Sequence, residues 1–416
     1  MEHPSPDRNA LLAFAAIITF ILLRSHPRTL RWGRSLGLDG LFQQRLQFLA
    51  FGLLFSDLGF GFLNESLVGR LDALVTLGLG VLGLLLGLDL GAPTTGQQGV
   101  RRAAVVESVA TLALVAVPFF FLLGAVGGLS WQHRATAAAL LGCTAAISGR
   151  RLFSSVLGSD TPPFAGLNRV ADLSTVIGVL AAGTLLALLT PASGMTAYER
   201  LLALGVTGVV GGLAAWLLAG EIHQGALRTA LLMGMVLVTA GTATHLELPP
   251  VAATLLMGLT IAHLPGPLAT ELRSSLAFVE SPLRALLLVM AGAALAVPTA
   301  VSLIMVVLFL ALRTAGKILG GRVASTFAKD LLPAHMGLGL LPSSAVAVGL
   351  ALDFHATAPP DIAHIVVTVA VLGSILSETA GAWTTRALVK AHKLSDAAVD
   401  AVASAACPPE TAKGEV

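Results

Sequence analysis

Two charged residues stand where charge is expensive. Asp172 lies in the apolar run Val170-Ala-Asp-Leu-Ser-Thr-Val-Ile-Gly-Val-Leu180, and Lys317 lies in a second one, Leu312-Arg-Thr-Ala-Gly-Lys-Ile-Leu-Gly-Gly321. A carboxylate at the centre of a membrane helix costs at least ~2.5 kcal/mol even on the mildest insertion scale, so its retention points to function. A desolvated carboxylate also has its proton affinity raised, which lets a proton and a metal ion compete for one site. An acid and a lysine on separate spans therefore suggest an ion or proton pathway. The plainer alternative is a structural ion pair between helices.

Other polar residues could join that chemistry. Glu107 could serve as a charge partner for Lys317, or lie at a helix end among the headgroups. Ser148, Ser343 and Ser344 could lend hydroxyls to a dehydrated cation, or bond back to their own helices. Asp89 and Glu378 read as structural. Arg150, Arg151 and Arg169 are possible modulators. Pointing inward they would make an electropositive cavity suited to a small anion; pointing outward they would snorkel to the inner headgroups. Arg169 lies three residues before Asp172, on the same helical face.

Composition fixes the setting. The chain is 55% hydrophobic and 12% charged, too little polar surface for a water-soluble protein of 416 residues. Apolar stretches long enough to cross a bilayer recur throughout. The expected class is an all-α polytopic membrane protein of about 13 transmembrane helices. A formal net charge of +2, with no basic cluster interleaved with aromatics, gives no sign of a nucleic-acid partner. Two cysteines make no disulfide framework, ten scattered histidines make no metal site, and no cofactor or catalytic motif is present, so an enzyme is not expected.

The first apolar run, Leu11 to Leu23, precedes its arginines, the reverse of a cleavable signal, so it is expected to remain as a span. Assigning each basic residue to its nearest span end leaves only Arg8, Arg70, Arg134 and Arg200 of the 25 on the N-terminal side. That bias predicts an N-terminus outside and a C-terminus in the cytoplasm. The polar segment 394–416 is expected to be a mobile cytoplasmic tail.

Two spans carry polar, Gly- or Pro-containing centres: Leu140-Leu-Gly-Cys-Thr-Ala-Ala-Ile-Ser-Gly-Arg-Arg-Leu-Phe153 in the fifth (135–158) and Gly337-Leu-Gly-Leu-Leu-Pro-Ser-Ser-Ala-Val-Ala-Val-Gly349 in the twelfth (334–354). The third and tenth spans, 70–90 and 275–297, echo each other at a similar offset. An odd offset in span number makes the halves inverted repeats. Paired broken helices in inverted halves point to a midplane binding site in a secondary transporter.

Leu77-Gly-Leu-Gly-Val-Leu-Gly-Leu-Leu-Leu-Gly-Leu-Asp-Leu90, Pro250 to Leu264, Arg313-Thr-Ala-Gly-Lys-Ile-Leu-Gly320 and Gly337-Leu-Gly-Leu-Leu-Pro342 occur in the order and spacing of a known family. From about Phe51 to Val389 the chain resembles the monovalent cation:proton antiporter superfamily, in its second branch of bacterial sodium/proton and potassium/proton exchangers. The resemblance implies a sodium/proton antiporter-like fold with two broken, crossing helices. It also implies exchange of Na+ or K+ for protons in a bacterial inner membrane, and a homodimer. It divides a single transmembrane domain (1–393) into core helices, about 104–190 and 299–388, and panel helices, about 10–90 and 226–297. By the same resemblance Asp172 is the carboxylate that alternately binds cation and proton, and Lys317 faces the ion site. The chain departs from the family pattern at Ala171, where an Asp or Asn is usual, and at Arg150-Arg151 after the first break. These departures keep two alternatives open: a small-anion transporter, or a non-transporting sensor or structural protein on the same fold.

Overall fold

The computed structural model describes residues 46–56, 60, 63, 71–91, 98–125, 129–149, 162–189, 194–220, 222, 225–295, 299–328, 331–333, 335–358, 362–381 and 384. The expected first span (10–24), Arg150, Arg151 and the tail from 394 lie outside the described residues.

Described in chain order, the helices are α1 (Leu46–Phe55), α2 (Asp72–Leu90), α3 (Gln98–Ala125), α4 (Trp131–Ala146), α5 (Pro162–Leu189), α6 (Ala197–Gly220) and α7 (Gly225–His245). They continue with α8 (Pro250–His263), α9 (Leu268–Ala293), α10 (Ala300–Ser325), α11 (Met336–Gly339), α12 (Ala345–Thr357) and α13 (Ile362–Gly381). Eight are long and apolar enough to cross a bilayer, and α8 and α12 are shorter apolar helices. The chain is a multi-pass, helical membrane protein.

The breaks fall in the fifth and twelfth spans. α4 stops at Ala146, and Ile147 (φ −66°, ψ 127°) is already extended. In the other half, α11 runs for four residues, the chain is non-helical over 340–344, and Ser344 caps the N-terminus of α12. Pro342 explains this second break: it supplies no N–H and bars Leu341 from helical backbone.

Two starts lie earlier than periodicity suggested. α3 begins at Gln98 rather than near 104, because Arg101 and Arg102 are exposed and can snorkel from a regular first turn. α9 begins at Leu268 rather than near 275, after a turn in which Gly266 takes a left-handed φ of 118°. Both shifts carry charged residues deeper into helices.

Packing relies on small residues, as it must where lipid offers no hydrophobic drive between helices. α2 crosses α8 and α1 crosses α9 by the same device. A Cβ on Gly87 would lie 2.3 Å from the Leu255 carbonyl, and one on Gly258 would lie 2.3 Å from that of Leu84. In the other crossing a Cβ on Gly52 would lie 2.0 Å from the Val289 carbonyl, and one on Gly292 would lie 2.3 Å from that of Leu49. Gly52 and Gly87 thus have Gly258 and Gly292 as their images in the second half, the signature of an internal repeat at residue level. α3, α4, α5, α10 and α11 pack on one another, while α7 and α8 pack on α2 and α6 packs on α7 and α8. α5 meets α2, α6 and α8, and α12 meets α9 and α2, along one seam between the two groups.

Candidate functional site

The extended segments meet near the middle of the molecule. Gly149 N–H donates to the Pro342 carbonyl at 2.6 Å, and a Cβ on Gly149 would stand 2.3 Å from the Ser343 carbonyl. Only glycine allows so close a crossing. Breaking two helices inside the protein also strands carbonyls, which need donors in a water-poor interior.

α10 supplies most of those donors. Arg313, fully buried, donates to the carbonyls of Thr144 (2.8 Å), Ile147 (2.8 Å) and Leu341 (3.3 Å). One guanidinium thereby holds the C-terminal ends of both α4 and α11, where the helix dipole favours a cation. One turn later, Lys317 Nζ donates to the Ala146 carbonyl (2.7 Å) and to Ser148 Oγ (2.8 Å). Thr175 Oγ1 donates to the Ser148 carbonyl at 2.8 Å, and Ser377 Oγ to the Leu341 carbonyl at 2.7 Å. Each break therefore receives a hydroxyl from the long helix that follows it, α5 or α13.

Glu107 completes the buried set. Its Oε1 lies 2.7 Å from Lys317 Nζ and accepts from Thr111 Oγ1 at 3.0 Å, while Oε2 accepts from Ser174 Oγ at 2.8 Å. Neither Glu107 nor Lys317 has any exposed surface. The placement of Glu107 among the headgroups is thus overturned, and the earlier start of α3 is the reason. Ala171, buried beside Asp172, leaves no side chain there to pair with Lys317.

Beside this dry region lies a cavity of about 120 Å³. One wall carries Asp172 and Thr175 of α5, Ser148 of the first break and Ser344 of the second. The opposite wall carries Asp89 of α2 with Arg273, Glu280 and Arg284 of α9. Those four form a chain of ion pairs: Arg273 Nε to Asp89 Oδ1 at 2.5 Å, Arg273 Nη1 to Glu280 Oε2 at 3.6 Å, and Arg284 to Glu280. Asp172 is half-buried, as is Arg169, whose Nη1 donates to the Asp89 backbone carbonyl at 3.4 Å. That contact puts the Arg169 guanidinium beside the C-terminal end of α2.

The structure therefore brings Asp172, Ser148 and Ser344 to one cavity, with Lys317 and Glu107 directly behind Ser148. Ser343 is buried at the crossing, where its Oγ has no hydrogen-bond partner among the described residues; it does not line the cavity. Glu378, half-buried on α13, does not line it either. Asp89, read as structural, does line it. Sequence reasoning passed over Arg313, Ser174, Thr175, Arg273, Glu280 and Arg284 as site residues. Arg313 four residues before Lys317, and Glu280 four before Arg284, were the signals available, since each pair shares a helix face.

The helical arrangement as a whole is one that a solved structure shares. The sodium proton antiporter MjNhaP1 from Methanocaldococcus jannaschii, at pH 8, superposes with a TM-score of 0.63 over 89% of this chain and 99% of its own, at 16% identity. The chain has a sodium/proton antiporter fold. No protein-family model matches it, and no curated protein matches it by sequence. At 16% identity the likeness concerns the fold alone; what the cavity carries must be argued from its own residues.

Proposed function

We propose that this protein is a secondary transporter that exchanges a monovalent cation, Na+ or K+, for protons by alternating access. The observation that carries this reading is the division of the cavity wall. Among the described residues, Asp172 is the one ionisable lining residue contributed by the crossing-helix group, and it lines the cavity with Ser148, Thr175 and Ser344. Among the described residues, the other charges at the crossing, Arg313 and the Glu107–Lys317 pair, are buried and bonded to backbone carbonyls and to each other. In this reading Asp172, lining the cavity, takes a cation from it or a proton in its stead. Hydroxyls and carbonyls of the breaks would replace part of the cation's hydration shell.

In this scheme α3, α4, α5 and α10–α13 form a moving core, and α1, α2 and α6–α9 a panel. With the N-terminus outside, the cavity, which lies by the C-terminus of α2 and the N-termini of α5 and α9, opens to the cytoplasm. One carboxylate serving both substrates couples them by competition, favouring electroneutral one-for-one exchange. Among the described lining residues, three carboxylates stand against two guanidinia, a balance that favours a cation over an anion as substrate.

The test is flux in proteoliposomes under an imposed pH gradient, with Na+, K+ and a panel of small anions, comparing the natural protein with Asp172→Asn. Cation-dependent dissipation of the gradient that the substitution abolishes is the expected result. Equal dissipation by both proteins would sink the reading, and anion-dependent flux would replace it.

A further inference from the structure

Among the described side chains at the crossing, Arg313 alone joins the two breaks to each other, and the use made of that link rests on the antiporter reading above. Its Nη1 donates to the Thr144 carbonyl and its Nη2 to the Ile147 carbonyl, both at 2.8 Å, and Nη2 also donates to the Leu341 carbonyl at 3.3 Å. The first two carbonyls belong to the first break and the third to the second. The other donors serve one break each. Lys317 and Thr175 bond the first, at Ala146 and Ser148, and Ser377 bonds the second, at Leu341.

A cation with no exposed surface is an expensive way to tie carbonyls together. Glu107 is bonded instead to Lys317, Thr111 and Ser174. What a guanidinium offers over other donors is a rigid planar fork, which fixes distances as well as satisfying acceptors. The Arg313 Nε has no hydrogen-bond partner among the described residues, so the two Nη groups do the holding.

The held carbonyls adjoin the cavity. Ser148 follows Ile147 directly and Ser344 lies three residues beyond Leu341, and both line the cavity, one from each break. Besides Arg313, the backbone bond from Gly149 N–H to the Pro342 carbonyl ties the breaks together. Oxygen-bearing walls select among dehydrated cations by the spacing and number of their oxygens, and a binding constellation must be held to within about 0.5 Å to do so.

We propose that Arg313 is a positioning residue that sets which size of monovalent cation the cavity prefers, by fixing the spacing of Ser148 and Ser344 across the two breaks. Arg313→Lys keeps the charge and loses the fork, since a compact ammonium on a flexible stem does not hold two breaks at a set distance. The spacing then relaxes, and preference moves toward larger ions.

The experiment measures apparent KM and maximal rate for Li+, Na+, K+ and Rb+ in proteoliposomes under an imposed pH gradient, with thermal unfolding in detergent alongside. The natural protein is expected to discriminate among the four ions. Arg313→Lys is expected to shift the KM ratios roughly ten-fold in favour of the larger ions, less than the hundred-fold that a misplacement of about 1 Å can cost. Ser377→Ala removes a bond to the same Leu341 carbonyl without touching the link between breaks. It should lower the unfolding temperature slightly and leave the ratios within about two-fold.

An Arg313→Lys protein that is less stable or slower, but has unchanged ratios, would make the arginine scaffolding alone and overturn the proposal while leaving the antiporter reading intact. So would ratios that move toward smaller ions, an equal shift in Ser377→Ala, or a natural protein that treats the four ions alike. Absence of any cation exchange by the natural protein would overturn both. Should Arg313→Lys fail to fold or to exchange, Gly149→Ala decides. It opens the same crossing with a methyl 2.3 Å from the Ser343 carbonyl, and must move the ratios toward larger ions.

Discussion

Two clusters of charge lie side by side in this molecule and differ in nearly every physical respect. The Glu107–Lys317 pair is dry: neither residue has exposed surface, both carboxylate oxygens are hydrogen-bonded and the ammonium has three partners. The cavity cluster of Asp172, Asp89, Arg273, Glu280 and Arg284 is partly open, with side-chain exposures of 12–31% across its ion pairs. A dry, fully bonded pair is costly to disturb and poorly suited to exchange its partners. An open cluster can swap a proton or a cation at small cost. On the transport reading proposed above, the lysine is scaffolding for the crossing and turnover falls to Asp172 next door.

Substitutions should separate the two clusters. The largest effect on transport is expected at Asp172: Asp172→Asn should reduce exchange by at least about a hundred-fold, as loss of a group that bonds the substrate directly does, with thermal unfolding in detergent almost unchanged. Retained exchange would erase the contrast. The largest effect on stability is expected at Lys317. Lys317→Met leaves the Glu107 charge buried and uncompensated, which costs about 3–5 kcal/mol; a large drop in unfolding temperature or loss of folded yield checks it. Lys317→Met combined with Glu107→Gln should be less destabilising than Lys317→Met alone, since both charges then go together.

Smaller effects probe the geometry between the clusters. Gly149→Ala places a methyl 2.3 Å from the Ser343 carbonyl, so the crossing must open by a cost of about 1–3 kcal/mol. It should lower both stability and rate, in contrast to Asp172→Asn, which should lower rate alone. pH supplies the gentlest test. Protons and cations competing for Asp172 require that apparent KM rise as pH falls, approaching about ten-fold per pH unit on the acid side of the carboxyl's own titration. Maximal rate at saturating cation should change far less. A KM independent of pH would mean that the two substrates do not share one carboxylate.

Much of this was legible in the chain itself. Composition dictated a helical membrane protein, because backbone groups in hydrocarbon must bond internally and only long apolar helices do so here. Gly, Ser and Pro at matching places in the two halves marked both breaks, since Pro342 cannot continue a helix and Gly149 alone tolerates a carbonyl at contact distance. The cost of burying charge singled out Asp172 and Lys317 for the same kind of reason. All of these are local properties of residue type and spacing.

What only the tertiary structure decided is which charge meets which. Glu107 lies 210 positions from Lys317 in sequence number, yet the crossing of α3 and α10 brings their charged atoms to 2.7 Å. Arg313 looked like one more cation in an apolar helix until two broken ends appeared around it, and nothing in the sequence put the Arg169 guanidinium beside the end of α2. Ionic partnership depends on ångström distances between helices. Periodicity along one helix specifies a face and a depth, but it carries no information about what stands opposite.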